Sequence, residues 1–130
     1  MKKLLIDLEN VLVNGNGHSD VYLNNPVHDA KDALASLMEK YSVVVISGNV
    51  SEGSAWLRHH DLPHSFVVDR NIKSYDGNVL IDSSVDSLSR FNSGVPICFA
   101  KPENKHYGGA KVGSLKEAEF AVRVLDAYRS

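Results

Sequence analysis

Leu4-Leu5-Ile6-Asp7-Leu8-Glu9-Asn10-Val11-Leu12-Val13 is the stretch whose reading decides the fold. Its first three residues are apolar, do not alternate with polar ones, and end in a carboxylate. That pattern suits a parallel strand covered on both faces better than a half-solvated antiparallel one. The same shape returns at Val43-Val44-Val45-Ile46-Ser47, where the β-branched side chains favour a strand. Phe66-Val67-Val68, Val79-Leu80-Ile81-Asp82 and Pro96-Ile97-Cys98-Phe99 supply three further runs.

Helical periodicity fills the intervals. Ala30, Ala33, Leu34, Leu37, Met38 and Tyr41 recur at i, i+3, i+4, i+7, i+8 and i+11, which predicts a helix from about 27 to 40 with one apolar face. Further helices are expected over 51–60, with Trp56 and Leu57 inward and Pro63 beyond its end, over 84–91, and over 115–128. Residues 14–26, rich in Asn and Gly, read as a long loop or small hairpin able to act as a flap, and 101–113 as a second long loop. Strand and helix alternation predicts an α/β fold: one Rossmann-like three-layer domain over 1–130, with a five-stranded parallel sheet and helices on both faces.

Composition bounds the partners. The 130 residues are 43% hydrophobic and 23% charged, too apolar for a disordered chain, and no apolar run approaches the roughly 20 residues of a membrane span. A net charge of −2 supplies no global positive field for nucleic acid. A single cysteine, Cys98, excludes an intramolecular disulfide framework and a Cys-based zinc site, and points to a reducing, cytoplasmic location. Met1-Lys2-Lys3 starts like a secretory leader, but the apolar run stops at Asp7, so no export signal is expected.

In a parallel α/β sheet ligands bind beyond the carboxyl ends of the strands. The residues there are Asp7, then Ser47-Gly48-Asn49, then Asp69, Arg70 and Lys73, then Asp82. Oxygen ligands and anion-binding donors on one edge suit a hard cation and a phosphate.

Here the pattern resembles the haloacid dehalogenase (HAD) superfamily. Asp7-Leu8-Glu9-Asn10-Val11 is similar to its motif I, Ile46-Ser47-Gly48 to motif II, Lys73 lies where motif III places its lysine, and Val79-Leu80-Ile81-Asp82-Ser83-Ser84-Val85-Asp86 is similar to motif IV. Within the superfamily, Val68-Asp69-Arg70-Asn71-Ile72-Lys73 and Phe99-Ala100-Lys101-Pro102-Glu103-Asn104 look most like the 5'(3')-deoxyribonucleotidase family. The resemblance implies a strand order running from Pro96 through Val79, Leu4 and Val43 to Phe66. It also implies a Mg²⁺-dependent phosphomonoesterase acting on nucleotides or nucleic-acid terminal phosphates through an aspartyl-phosphate. Asp7 is then the nucleophile and Glu9 the acid and base, while Ser47, the Gly48 and Asn49 amides and Lys73 hold the phosphate. Asp7, Glu9 through its carbonyl, Asp82 and Asp86 are the implied Mg²⁺ ligands.

The chain departs from the family pattern in three places: Glu9 replaces an Asp, Ser83 replaces a second Asp, and only residues 14–26 stand where nucleotidases insert a helical cap. An open site suits a large substrate, or a second copy of the chain closing over a nucleotide as a homodimer. Two alternatives follow. One is a degenerate HAD domain that binds a nucleotide, metal or protein partner, favoured by Glu9 and Ser83. The other is a PIN-like metal-dependent ribonuclease, because the first strand also resembles that group's. His59, His60 and His64 match no metal-ligand spacing and read as surface residues, Trp56 as a core anchor, Cys98 as packing, and Asp86 as a first-turn helix residue ahead of a ligand.

Overall fold

The opening run forms β1 (Lys2–Asp7), flanked in the sheet by β2 (Tyr41–Ser47) and β4 (Val79–Asp82). In this computed structural model, which describes residues 1–15, 17–72 and 75–129, β3 (Phe66–Asp69) lies outside β2, and β5 (Val95–Phe99) and β6 (Lys111–Val112) lie outside β4. The order is β3-β2-β1-β4-β5-β6, and every pairing is parallel. The sheet therefore has six strands, not five. β6 was expected to be loop because two residues between Gly108-Gly109 and Gly113 make no apolar run. It is held by Cys98 N–H donating to the Ala110 carbonyl and Ala100 N–H to that of Val112, both at 2.8 Å.

Strand alternation sorts the side chains into two cores. Leu4, Ile6, Val43, Val45, Val79, Ile81, Ile97 and Phe99 face one cluster, with α1 (Ala30–Leu37), α2 (Val50–His59) and α4 (Leu115–Arg129) supplying Leu34, Trp56, Leu57, Ala118 and Val122. Leu5, Val44, Ile46, Leu80 and Cys98 face the other, closed by Leu88 of α3 (Val85–Arg90) and by Phe91. Burial on both faces accounts for the unalternating runs. Truncating a fully buried leucine such as Leu4 or Leu80 costs about 2–5 kcal/mol. No helix among the described residues is long and apolar enough to cross a membrane.

Two details differ from the expected helices. The first is shorter than 27–40, because residues 38–40 are a turn leading directly into β2. The flap is pinned: Val13 bridges Pro26, Asn14 N–H donates to the Asn25 carbonyl, and Val21–Leu23 forms a 3-10 turn. Trp56 is a core anchor with a second role, since its Nε1 donates to the Asn24 carbonyl at 2.9 Å and ties the flap to α2.

Candidate functional site at the carboxyl edge of the sheet

Chain order runs outward in both directions from β1 and β4, so the crevice between them is the topological switch point. Ile6 stands opposite Ile81, which places Asp7 and Asp82 next along two adjacent strands. Both are buried. On the other side of β1, Asp7 stands opposite Ile46, and Ser47 ends β2.

β1 is followed at once by a single π-helical turn, Leu8–Leu12, closed by Val13 N–H donating to the Leu8 carbonyl. Such turns are rare and concentrate at functional sites. Asp7 caps it, its Oδ2 accepting from Asn10 N–H at 2.9 Å. The turn buries Leu8, Val11 and Leu12 and sends Glu9 across toward β2.

There the Glu9 carboxylate collects donors from four directions. Ser47 Oγ donates at 2.6 Å, Tyr22 Oη at 2.7 Å, and Gly48 N–H lies 3.2 and 3.3 Å from its two oxygens. Arg70 Nη2 donates to Oε1. The same guanidinium holds Asp7 Oδ1 through Nε at 3.2 Å and Nη2 at 2.7 Å. Arg70 is itself fixed by its backbone N–H on the Ser47 carbonyl and by Tyr75 Oη donating to its own carbonyl. Arg70 thus bridges two carboxylates, Asp7 and Glu9.

Protonation follows from this geometry. Burial pushes Asp7 above the ordinary carboxylate range, and Arg70 only partly offsets it. Burial, reinforced by the Asp7 charge, raises Asp82 to about 6. Burial also acts to raise Glu9, but the hydrogen bonds from Ser47, Tyr22 and Arg70 outweigh it and hold the group below its usual value. Tyr22 is pushed up to about 12, by burial and by its hydrogen bond to Glu9. At neutral pH Glu9 is therefore an anion and Tyr22 a donor.

Asp7 and Asp82 are the carboxylates that a hard cation such as Mg²⁺ would use here; both Asp7 oxygens already accept, Oδ1 from Arg70 and Oδ2 from Asn10 N–H. This ion keeps several waters and takes one or two protein carboxylates; Asp7 and Asp82 provide two that interact electrostatically. Asp82 Oδ1 accepts from the Ser83 and Ser84 amides at 2.7 and 3.0 Å, and no described residue donates to its Oδ2. No three His, Cys, Asp or Glu side chains converge among the described residues, because the Glu9 carboxylate points into its own ring of donors.

The expected site residues thus divide. Asp7, Glu9, Ser47, Gly48 and Asp82 come together. Asn49 stands beside them, but its N–H turns to Ser47 Oγ at 3.1 Å and its side chain caps α2. Asp86 points outward, paired at 2.8 Å with Arg90, as a first-turn helix residue. Lys73 lies outside the described residues. The sequence marks Arg70 as one of several polar residues after β3 without singling it out, and it carries no signal for Tyr22. Asn104 is another supporting group, its Nδ2 donating to the Ser83 and Phe99 carbonyls so that the ends of β4 and β5 are held together. Beyond Arg70 lies a cleft of about 210 Å³, lined by Ile72, Tyr75, Ser87, Arg90 and Phe91 among others.

No family model matches the chain, and no curated protein does. Solved structures do. A chain of the Pnkp1/Rnl/Hen1 complex superposes with a TM-score of 0.57 at 15% identity, over 77% of this chain. This chain spans 45% of that one. A hypothetical protein from Xanthomonas campestris superposes with a TM-score of 0.58 at 14% identity, over 99% of this chain and 88% of its own. The likeness is one of fold.

Proposed function

We propose that this chain is a HAD-type, Mg²⁺-dependent phosphomonoesterase for nucleotides or nucleic-acid terminal phosphates. The observation that carries the reading is the pairing of Asp7 with Asp82 at the switch point, with Ser47 on the next strand. In this reading Asp7 Oδ attacks phosphorus while the bond to the ester oxygen breaks. As the substrate phosphate takes over its donors, the Glu9 carboxylate, an anion while they hold it, takes a proton from solvent and passes it to the departing oxygen. It then takes one from the water that attacks the aspartyl-phosphate, restoring Asp7 and releasing inorganic phosphate. Ser47 Oγ and the Gly48 amide are donors for the phosphoryl oxygens. Asp7 and Asp82 would hold Mg²⁺, which would supply charge neutralisation at the phosphoryl group. The cleft beyond Arg70, with Tyr75, Phe91 and Arg90, offers aromatic and cationic surface to the alcohol half of a nucleotide. Lys73 remains the proposed motif III lysine.

Phosphate release from deoxy- and ribonucleoside monophosphates and from a 3'-phosphorylated oligonucleotide, with Mg²⁺ and with a chelator, tests the assignment. Release that needs the metal supports it, and its absence from the whole panel overturns it. A second reading, a domain that binds phosphate esters or Mg²⁺ without turnover, is favoured by one specific feature: Glu9 lies among the donors that a phosphoryl group needs.

A further inference from the structure

The ring of donors around Glu9 has the makeup of an oxyanion site. It combines a hydroxyl from the end of β2, the next backbone amide, a guanidinium from the loop after β3, and a phenol from the flap. A carboxylate and a phosphoryl group ask for the same things, namely negative charge and two or more acceptor oxygens in reach of fixed donors. Two glycines leave the space. A Cβ on Gly53 would lie 2.5 Å from Ser47 Oγ, and one on Gly48 would lie 2.7 Å from Arg70 Nη1. The donors are therefore packed into positions that bulkier residues would spoil.

We propose that Glu9 is a tethered internal anion that occupies this oxyanion site, latched by Tyr22 of the flap, so that a phosphate binds only by displacing the Glu9 carboxylate. The extra methylene of glutamate over aspartate is what lets a side chain from the turn after β1 reach donors on β2, the flap and the β3 loop at once. Arg70 and Tyr22 are thereby binding residues of the site, beyond Ser47 and Gly48. Arg70 faces both the internal anion and Asp7, so it stays paired when Glu9 leaves. Tyr22 faces Ser47 as well as Glu9, and the flap that carries it stays tied by the Val13–Pro26 bridge and the Trp56 bond to Asn24. The inference rests on the phosphoryl-binding half of the proposed function and is independent of turnover.

The test is binding of inorganic phosphate, followed by calorimetry and by NMR shifts of the Gly48 and Asn49 amides, in the full chain. Glu9→Ala removes the competitor and is expected to tighten phosphate binding at least about tenfold; Glu9→Gln, of nearly the same shape, tightens it less, and Tyr22→Phe by a few-fold. Adding Ser47→Ala to Glu9→Ala should abolish the gain. Folding of each variant is checked by amide dispersion, and Glu9→Gln keeps the test open if Glu9→Ala does not fold. Folded Glu9 variants that bind phosphate no better than the natural chain overturn the proposal. Tightened phosphate in the variants with no turnover of any ester by the natural chain would instead sink the phosphatase reading and leave the internal anion standing. Turnover in the natural chain with unchanged phosphate affinity in the variants would do the reverse.

Discussion

Two glutamates of this chain are built almost alike. Glu9 and Glu119 have side chains 12% and 11% exposed, and each accepts from a serine hydroxyl, Ser47 at 2.6 Å and Ser36 at 2.5 Å, and from an arginine, Arg70 and Arg123. In both cases hydrogen bonds hold the carboxyl below its usual value. The surroundings differ. Glu119 sits on α4 with its arginine one turn away and its serine on α1, so it clamps two helices on the side where β2 begins. Glu9 adds a backbone amide and a flap phenol, and shares its arginine with a buried aspartate 63 residues before that arginine in the chain. A satisfied glutamate is ordinary packing. One that draws four donors from three separate segments at a topological switch point has the organisation of a binding site.

The largest effect expected is on chemistry: Asp7→Asn should lower Mg²⁺-dependent phosphate release by about a thousandfold or more, measured as initial rate on the best nucleotide. Arg70→Ala comes next. It leaves Asp7 buried without its cation and should destabilise the fold by about 2–4 kcal/mol in urea unfolding at pH 7, whereas Arg123→Ala should leave the midpoint within error, as expected of an exposed i,i+4 pair. Equal losses at the two arginines would erase the contrast.

Asp82 sharpens the contrast through pH. Its carboxyl titrates at about 6 when folded, against 3.8 as the ordinary value, so the folded chain binds the extra proton. Stability should therefore fall as pH rises from about 4 to 6 and stay lowered above that. Asp82→Asn should be more stable than the natural chain at pH 7.5 by up to about 3 kcal/mol, at roughly 1.36 kcal/mol per pH unit, and the gain should vanish below pH 4. Millimolar Mg²⁺ should stabilise the natural chain at pH 7.5 and leave the variant unmoved. A variant less stable than the natural chain at pH 7.5 would refute this.

Much of this was legible in the residues. Unalternating apolar runs marked five of the six strands, and the polar residues ending them, Asp7, Ser47 and Asp82, are the ones the sheet brings to a common edge. The order of those five strands matches that expected. β6 was hidden because two residues carry no periodicity, and an edge strand needs little apolar content. Arg70 could not be chosen from spacing alone, since Asp69, Arg70 and Lys73 all follow β3 and only the path of the loop decides which turns inward. Tyr22 lies in a segment without period, and its contact with Glu9 depends on the Val13–Pro26 bridge and the Trp56 bond that pin the flap. Glu9 stands out in the sequence as a departure from aspartate, but the destination of its carboxylate does not, because its donors come from β2, the flap and the loop after β3.

The most direct test of the account is to quench the reaction with the preferred nucleotide in acid during turnover and search for a phosphoryl group on Asp7 by peptide mass spectrometry, alongside Asp7→Asn. The account predicts phosphorylated Asp7 in the natural chain, with neither adduct nor Mg²⁺-dependent release in the variant. Phosphate release that persists in Asp7→Asn, or cleavage of RNA phosphodiesters without monoester hydrolysis, would contradict it.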